Sequence, residues 1–377
     1  MTDKNVEFQV EFLDGVEDTT TGGGNIKNRV LFLPDTPITQ DIFYARENFK
    51  ELAKQVVEFV KIDFKKHAII TGSRGSGKTA LVSFLIKMVD VKYSNVNIHY
   101  VNCRHEHNSY KVMRKVINET KRMDSYTVRE QAFKVLSRKG EKHILVLDEA
   151  DMLKDDNILY DVTRDNELTN VMLFLISNKP NFYQNLSEDV KSSLGMYHEF
   201  YYFDRYNAIE MKKIFSLRAK GGFNEYDEDT VDAVGAINTK QFNSDVRVGL
   251  GTLYNIFKVK PNGHKIPTDE IIKMMKSEEV SIKNKTITQL TDVKLLLLYL
   301  ISLGNEESNN LFRALADGGY SYVKSTFFQF LDELEKLDLI YQRKERRSKS
   351  FVKLIDLRIP EGSIETLKSL IKDKMLA

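Results

Sequence analysis

A chain of 377 residues exceeds one ordinary domain core, so we expect two or three domains. Its formal net charge of +2 excludes a uniformly basic surface, and affinity for nucleic acid would have to come from local clusters. The single cysteine, Cys103, excludes an internal disulfide and suits a reducing compartment. With no signal pattern and no apolar run long enough to cross a bilayer, we expect no membrane contact and a cytoplasmic protein.

Residues 1–33 are predicted to form a flexible arm. They include DTTTGGGN, whose glycines and threonines bury little surface and lose much entropy on ordering. After Pro34 the amphipathic stretch RENFKELAKQVVEFV predicts a helix, and the apolar run HAIITG, which stops at glycine, predicts a buried strand.

Further short apolar runs alternate with polar helical stretches along residues 34–205. The runs are NIHYVNC, HILVLDEAD, NVMLFLISN and FYYF, and we interpret each as a strand, the last of them buried. This alternation is typical of an α/β core, a parallel sheet covered by helices on both faces. Helical patterns alone follow over residues 206–284 and predict a smaller helical lid domain.

A third unit is predicted over residues 285–360. Three helical patterns, TQLTDVKLLLLYLISL, SNNLFRALAD and SYVKSTFFQFLDELEKL, precede the strand-like hairpin IYQRKERRSKSFVKLIDL. That order is typical of a winged helix-turn-helix. A last helix is predicted over residues 361–377.

The segment AIITGSRGSGKTA has the P-loop spacing G-x-x-x-x-G-K-[ST], directly after a strand and before a helix. In such a loop, backbone N–H groups surround phosphates, Lys78 reaches the β and γ oxygens, and Thr79 binds Mg²⁺. A glycine-rich turn without a ligand is the alternative, and the flanking strand and helix argue against it. The predicted ATP or ADP contacts are Gly72, Ser73, Arg74, Gly75, Ser76, Gly77, Lys78, Thr79 and Ala80.

Two acids end the apolar strand ILVLDEAD, at the sheet edge where phosphates should lie. We predict that Asp148 holds Mg²⁺ through water and that Glu149 polarises the attacking water. Asn178, after the next strand, is a candidate to orient that water, with an ordinary strand-end asparagine as the alternative. In CRHEH, Cys103, His105 and His107 favour a loop over a metal site because no second ligand pair occurs.

In a winged helix, the third helix enters the major groove and the hairpin follows the backbone. An apolar stripe of Val323, Phe327, Phe330, Leu331 and Leu334 would leave the polar residues near the start of this helix toward solvent. The acids Asp332, Glu333 and Glu335 would be repelled, so only the N-terminal half should dock. The predicted DNA contacts are Tyr322, Lys324, Ser325, Thr326 and Gln329 on the helix, and Arg343, Lys344, Arg346, Arg347 and Lys349 on the hairpin. A solvated charged hairpin is the alternative.

The chain resembles the AAA+ ATPases, and specifically the archaeal origin-recognition initiators related to eukaryotic origin-recognition and replication-licensing ATPases. The likeness covers residues 34–357 and includes YARENFKELA, VNCRHEHNSYKVMRKV, LDEADML, LISN, DVKSSLG, YNAIEMKKIFSLRA and SDVRVGLGTL. It implies that Asn178 is sensor 1 and Arg247 the sensor 2 arginine, which makes Glu149, Asn178 and Arg247 the catalytic set. It also implies that Tyr206 and Arg218 contact the nucleotide.

Two departures from the family's pattern are visible. Glu188 and Asp189 stand where the family usually has a proline and the arginine that is its candidate trans-acting finger. Lys191 is the nearest replacement, and strong stimulation between subunits is not expected. Gly249 and Gly251 interrupt the sensor 2 helix, which would either loosen the lid or let it pack closely.

The resemblance implies an ATP-dependent initiator that is associated with the nucleoid, binds double-stranded origin DNA and supports recruitment of the replicative helicase. It also implies that the protein associates with copies or paralogues of itself and hydrolyses ATP slowly as a switch. A P-loop signalling ATPase of the STAND type, whose winged helix binds a protein partner, is the alternative from another class. A plasmid- or virus-encoded initiator of the same design also fits the sequence.

Overall fold

The computed structural model describes residues 25–33, 36–73, 75–121, 123–165, 168–259, 266–347 and 350–375. The chain divides into two compact units, Met1–Lys265 and Ile266–Ala377. Each unit has an apolar core of its own. Among the described residues, no helix combines the length and the apolar character needed to span a bilayer.

The first unit contains a five-stranded parallel sheet in the order β2-β3-β4-β1-β5. Its strands are β1 (His67–Gly72), β2 (Val96–Asn102), β3 (Lys142–Asp148), β4 (Val171–Ser177) and β5 (His198–Phe203). β1 lies between β4 and β5, with Ile69 level with Leu175 and Phe200. All strands point the same way, so the residues that follow β1, β3 and β4 meet at one edge. The predicted α/β architecture is confirmed.

Helices cover both faces of this sheet. Those described are α1 (Glu47–Ile62), α2 (Lys78–Lys92), α3 (Ser109–Val116), α4 (Ser125–Leu136), α5 (Asn157–Arg164) and α6 (Glu188–Leu194). Ile70 and Phe174 pack on the side of α1 and α2, whereas Ile69 and Leu145 pack on the side of α3 to α6. Because successive residues of a strand point to opposite faces, the interior strands are apolar throughout.

β5 departs from the prediction of a buried strand. It lies at the sheet edge, where Tyr201 and Phe203 are buried but Phe200 and Tyr202 are 53% and 52% exposed. The apolar run FYYF does not reveal this alternation, because a strand's place in the sheet depends on the strand order.

The part of the predicted lid, residues 206–284, that belongs to the first unit contains α7 (Ala208–Gly222), α8 (Glu228–Gln241) and α9 (Val246–Val259). A reciprocal capping box between Asn207 and Glu210 starts α7. Gly249 on α9 lies against α7, where a Cβ would come within 2.0 Å of the Phe215 ring. Of the two expectations for the glycines of α9, this contact favours close packing over a loosened lid.

The predicted flexible arm, residues 1–33, is described only in its last part. Residues 1–24 lie outside the described residues. In residues 25–33, by contrast, Leu31 and Phe32 are buried, and Phe32 stacks on Phe223 at 4.4 Å. The N–H groups of Lys27 and Asn28 both donate to the Gly222 oxygen. These contacts with the end of α7 correct the expectation for residues 25–33, because Leu31 and Phe32 bury apolar surface that the glycines before them cannot.

The second unit begins at Ile266, before the predicted boundary at residue 285, which falls inside a helix. Its elements are α10 (Thr268–Thr288), α11 (Asp292–Ser302), α12 (Ser308–Asp317), α13 (Lys324–Lys336), β6 (Ile340–Arg347), β7 (Ser350–Leu357) and α14 (Glu361–Met375). α11 to α13 followed by the antiparallel β6–β7 hairpin form a winged helix-turn-helix. A bridge from Glu307 to Leu354 ties the hairpin to the start of α12.

Candidate nucleotide site and nucleic-acid interface

The P-loop connects β1 to α2 and requires glycine at two of its positions. Gly72 has φ +148° and Gly77 has φ +83°. A Cβ on Gly72 would lie 2.0 Å from the Phe203 oxygen, and one on Gly77 would lie 2.0 Å from the Tyr206 hydroxyl. The spacing of the motif thus reflects where β5 and the lid approach the loop. Arg74, another predicted contact, lies outside the described residues.

Lys78 lies inside this loop. Its Nζ donates to the oxygens of Gly72 at 2.9 Å and Ser73 at 2.8 Å, and to Ser76 Oγ at 3.4 Å. Burial lowers the pKa of Lys78 to about 8, although nearby Asp148 acts in the opposite direction. Neutral carbonyls are weaker partners for an ammonium than phosphate oxygens are, so this cation is placed to exchange them for a phosphate.

Thr79 and Asp148 meet beside the loop. Thr79 Oγ1 donates to Asp148 Oδ1 at 3.2 Å, while the Tyr100 hydroxyl donates to Oδ2 at 2.5 Å. Burial and the Asp148 carboxylate raise the pKa of Tyr100, which therefore remains a donor. A hydroxyl and a carboxylate are oxygen ligands of the kind Mg²⁺ prefers, so these residues fit the ion. When bound, Mg²⁺ would neutralise charge on the phosphate oxygens.

Glu149 follows β3 in the left-handed region, with φ +52°. A non-glycine residue there indicates a constraint that is common at functional sites. Arg104 Nε lies 2.9 Å from Glu149 Oε2. Sequence reasoning missed Arg104. Its position two residues after β2 was a usable signal, because Asn102, the last residue of β2, is level with Asp148. The carboxylate predicted to polarise water is therefore held by a guanidinium.

Asn178 comes directly after β4 and lines the same cavity as Lys78 and Glu149. Its neighbour Ser177 instead donates to Asp151 Oδ1 at 3.0 Å. Of the polar pair that ends β4, Asn178 is thus the residue that lines the cavity.

The lid supplies the three residues expected from the resemblance. Tyr206, Arg218 and Arg247 all line the cavity. Burial lowers the pKa of Arg218, whose Nη1 donates to the Leu31 oxygen at 2.8 Å. Arg247 makes a two-pronged ion pair with Asp245, at 2.9 Å and 2.5 Å. Arg218 and Arg247 therefore line the cavity while their guanidinium groups are hydrogen-bonded to Leu31 and Asp245.

Arg46, just before α1, joins the core to the lid and was missed by sequence reasoning. Its guanidinium pairs with Glu210 at 3.0 Å, donates to the Asp204 oxygen at 2.8 Å and the Ser76 oxygen at 3.4 Å, and lies 4.7 Å from the Tyr206 ring centroid. One buried cation thus contacts the P-loop, the end of β5 and the first turn of α7.

The cavity has a volume of about 370 Å³, within the range of small-molecule sites. Its phosphate end is Gly75, Gly77, Lys78, Thr79 and Ala80. Its apolar wall is Ile38, Ile42, Ile214 and Leu250. No sequence motif indicated this wall, because the segment before α1 and the two lid helices meet only in the folded chain.

Glu188 and Asp189, which stand where the family usually has a proline and the trans-acting arginine, are the first two residues of α6. Lys191 donates to Glu188 Oε1 at 2.6 Å and to the Gln184 oxygen at 3.3 Å. Both contacts are within the chain. Among the described residues, no three His, Cys, Asp or Glu side chains form a group that could hold a metal ion.

The residues predicted to contact DNA lie just before α13 and in its N-terminal half. Tyr322, Lys324, Ser325 and Gln329 are exposed and Thr326 is half-buried. The helix starts at Lys324, so Val323 precedes it and is 68% exposed rather than part of the apolar stripe. The apolar pattern did not indicate where α13 starts, because the residues before the helix also carry apolar side chains.

The hairpin carries the predicted cations unequally. Arg343 Nε pairs with Asp356 at 2.8 Å, and its Nη1 lies 3.4 Å from Glu345. Lys344 and Arg346 are exposed. The backbone of Arg347 ends β6, whereas Lys349 lies outside the described residues.

Comparisons with known proteins agree with this architecture. The AAA domain family matches residues 62–185. The chain is 28% identical to ORC1-type DNA replication protein 3 of Sulfurisphaera tokodaii, over 63% of this chain and 66% of that protein. It is also 28% identical to ORC1-type DNA replication protein 1 of Archaeoglobus fulgidus, over 75% and 73%.

Among solved structures, the fold is similar to that of Aeropyrum pernix ORC1 in complex with DNA. The TM-score is 0.71 at 24% identity, over 94% of this chain and 99% of that one. An ADPNP–ADP form of Aeropyrum pernix ORC2 has a TM-score of 0.57 at 18% identity, over 94% and 100%. In its motifs, its AAA domain and its fold, the chain is therefore similar to the archaeal ORC1-type DNA replication proteins.

Proposed function

We propose that the protein is an ATP-dependent replication initiator that binds double-stranded origin DNA and supports recruitment of the replicative helicase. The observation that carries the proposal is that one chain contains both a nucleotide cavity and a winged helix. The cavity is lined by the P-loop and by Arg218 and Arg247 of the lid, and the winged helix has an exposed cationic hairpin. The relatives named as DNA replication proteins support the same assignment.

ATP would bind with its phosphates at the P-loop and its base against the apolar wall. Lys78 and the N-terminus of α2 supply positive charge at one end of the cavity, and Ile42, Ile214 and Leu250 supply apolar surface at the other. Thr79 and Asp148 would hold Mg²⁺. Because Arg247 is bound to Asp245, a γ-phosphate would have to compete for that guanidinium. Such competition makes lid position depend on the nucleotide.

Hydrolysis would be slow, which suits a switch better than a motor. Glu149 must leave Arg104 before it can polarise water, and Lys191 is engaged by Glu188 within the same chain. Copies or paralogues of the protein are proposed to associate at the origin, without strong stimulation of one site by its neighbour.

Binding to a labelled duplex tests the proposal. Fluorescence anisotropy is measured with an intergenic duplex from the protein's own genome and with a shuffled duplex of equal composition, with ATP and Mg²⁺, between 50 and 300 mM salt. Three to five phosphate contacts predict a slope of log K against log salt of about −3 to −4.5. Undetectable or salt-insensitive binding to both duplexes contradicts the initiator and favours a switch whose winged helix binds protein.

A further inference from the structure

Residues 25–33 form a strap that is bonded to the lid at its first residue. Asn25 is buried, and its side-chain amide donates to the oxygens of Glu225 at 3.0 Å and Phe257 at 3.1 Å. Its Oδ1 accepts from the Glu225 N–H at 2.8 Å. Glu225 lies between α7 and α8, and Phe257 lies on α9. One asparagine thus joins the strap to two parts of the lid.

The end of α7 provides space for the strap. A Cβ on Gly222 would lie 2.2 Å from the Phe32 ring, and one on Gly221 would lie 2.7 Å from Leu31 Cδ1. Glycine destabilises a helix relative to alanine, so two successive glycines are unfavourable for α7 itself. They are explained by the two buried side chains of the strap that occupy this space.

Arg218 joins the strap to the nucleotide cavity. It lies on α7 four residues before Gly222, and therefore on the same side of the helix. Its Nη1 donates to the Leu31 oxygen, whereas its Nε is buried and has no hydrogen-bond partner among the described residues. A buried donor without an acceptor is destabilising, and Arg218 lines the cavity. The guanidinium thus holds the strap through one nitrogen and offers another to an acceptor on a bound nucleotide.

The strap is also bonded to the segment that forms part of the apolar wall of the cavity. The Thr36 N–H donates to the Leu33 oxygen at 3.2 Å, and the Thr36 hydroxyl donates to the Val30 oxygen. The residues of this segment that line the cavity are Thr36, Ile38 and Ile42. When the strap detaches from α7, this wall loses its anchor and Arg218 loses its partner.

We infer that the strap retains nucleotide in the cavity, and that the nucleotide leaves only after the strap has detached from α7. The inference rests on the proposed binding of ATP and ADP in this cavity, and adds which contacts set the rate of their release. Strap and nucleotide stabilise each other because both bind the Arg218 guanidinium. Slow release would keep the proposed switch in one nucleotide state for longer.

Release is measured by stopped flow, with full-length protein, Mg²⁺ and fluorescent N-methylanthraniloyl-ADP displaced by excess unlabelled ADP. Leu31→Ala removes a buried contact of the strap, and Val30→Ala is the matched control because Val30 is 53% exposed. Truncating a buried leucine is expected to shift the attachment equilibrium about 30-fold, so Leu31→Ala should speed release by about that factor. Val30→Ala should release nucleotide at the wild-type rate.

Gly222→Ala tests the same contact from the side of the lid. The added Cβ displaces the Phe32 ring, while alanine favours the helix, so the strap is loosened and α7 is kept. Release should again be faster than in the wild type. Circular dichroism establishes that each variant is folded. A strap that only stabilises the lid would lower the Tm of Leu31→Ala and leave its release rate unchanged, which contradicts the inference.

Amide hydrogen exchange of the wild-type protein provides a measurement that needs no variant. The N–H groups of Lys27 and Asn28 donate to the Gly222 oxygen, so they exchange when the strap detaches. Saturating ADP should slow exchange of the peptide that contains them, by about 5–150-fold for typical coupling between two sites.

The inference is overturned if ADP leaves this exchange unchanged, or if folded Leu31→Ala and Gly222→Ala release nucleotide at the wild-type rate. It is also overturned if Val30→Ala speeds release as much as Leu31→Ala. Wild-type protein that binds no N-methylanthraniloyl-ADP would instead overturn the proposed function, so the two failures are distinguishable.

Discussion

Replacing Arg46 by Met removes the cation that joins the core to the lid while keeping most of the apolar stem. The side chains of Arg46 and Glu210 are only 8% and 13% exposed, and they pair at 3.0 Å. Removing one partner of a buried pair leaves the other charge uncompensated, at a cost of about 3–5 kcal/mol. Since Glu210 also accepts from the backbone N–H of Asn207, we expect about 3 kcal/mol, at the lower end of that range.

Urea unfolding followed by circular dichroism measures this cost. Lys50→Met is the matched control, because Lys50 pairs with Glu47 at 2.9 Å near the start of α1 but the two side chains are 60% and 74% exposed. Exposed pairs of this kind contribute about 0–1 kcal/mol. The difference between the two variants therefore isolates the effect of burial.

A double-mutant cycle with Glu210→Gln tests the pairing itself. Glutamine also serves at the third position of a capping box, so the start of α7 is preserved. The double variant should be more stable than the sum of the single losses predicts, by about 1–2 kcal/mol. The reasoning is refuted if Arg46→Met costs no more than Lys50→Met, or if the single effects simply add.

Further predictions concern charge at the nucleotide site and in the sheet. The pKa of Lys78 is about 8, and phosphates favour its charged form. ATP affinity, measured by calorimetric titration, should therefore fall above pH 8 by up to about tenfold per pH unit. An ATP affinity that stays constant up to pH 9 contradicts this. Glu149→Gln should slow hydrolysis about 100-fold while ATP affinity stays within twofold, as measured by phosphate release and by titration. Burial lowers the pKa of both His99 and His143 to about 4, below the unfolded value of 6.5, so the unfolded chain binds more protons between these values. Stability should thus fall as the pH drops from about 6.5 to 4, and replacing both histidines by Gln should flatten the urea midpoints over that range.

Local patterns sufficed for much of the fold. Alternating apolar and polar runs gave the strands and helices of both units, and the P-loop and acidic-strand motifs gave Lys78, Thr79, Asp148 and Glu149, which the sheet brings together. These residues lie together because each motif follows the end of a parallel strand, and those ends share one edge.

What the sequence did not indicate depends on contacts between distant segments. Arg46 meets Glu210, and Arg104 meets Glu149, only because the strand order brings their loops together. The pairing of Arg343 with Asp356 was not indicated either, because strand register identifies that partner and sequence spacing does not.

The central claim is that ATP binding and DNA binding are linked in one chain. The most direct measurement is ATP affinity with and without saturating duplex, alongside duplex affinity with and without ATP, for the wild type and for Lys78→Ala. Linkage requires the two affinity ratios to be equal, and we expect a factor of about 5–150, with no effect of ATP on duplex binding in folded Lys78→Ala. Duplex binding that is identical with and without ATP in the wild-type protein would contradict the account.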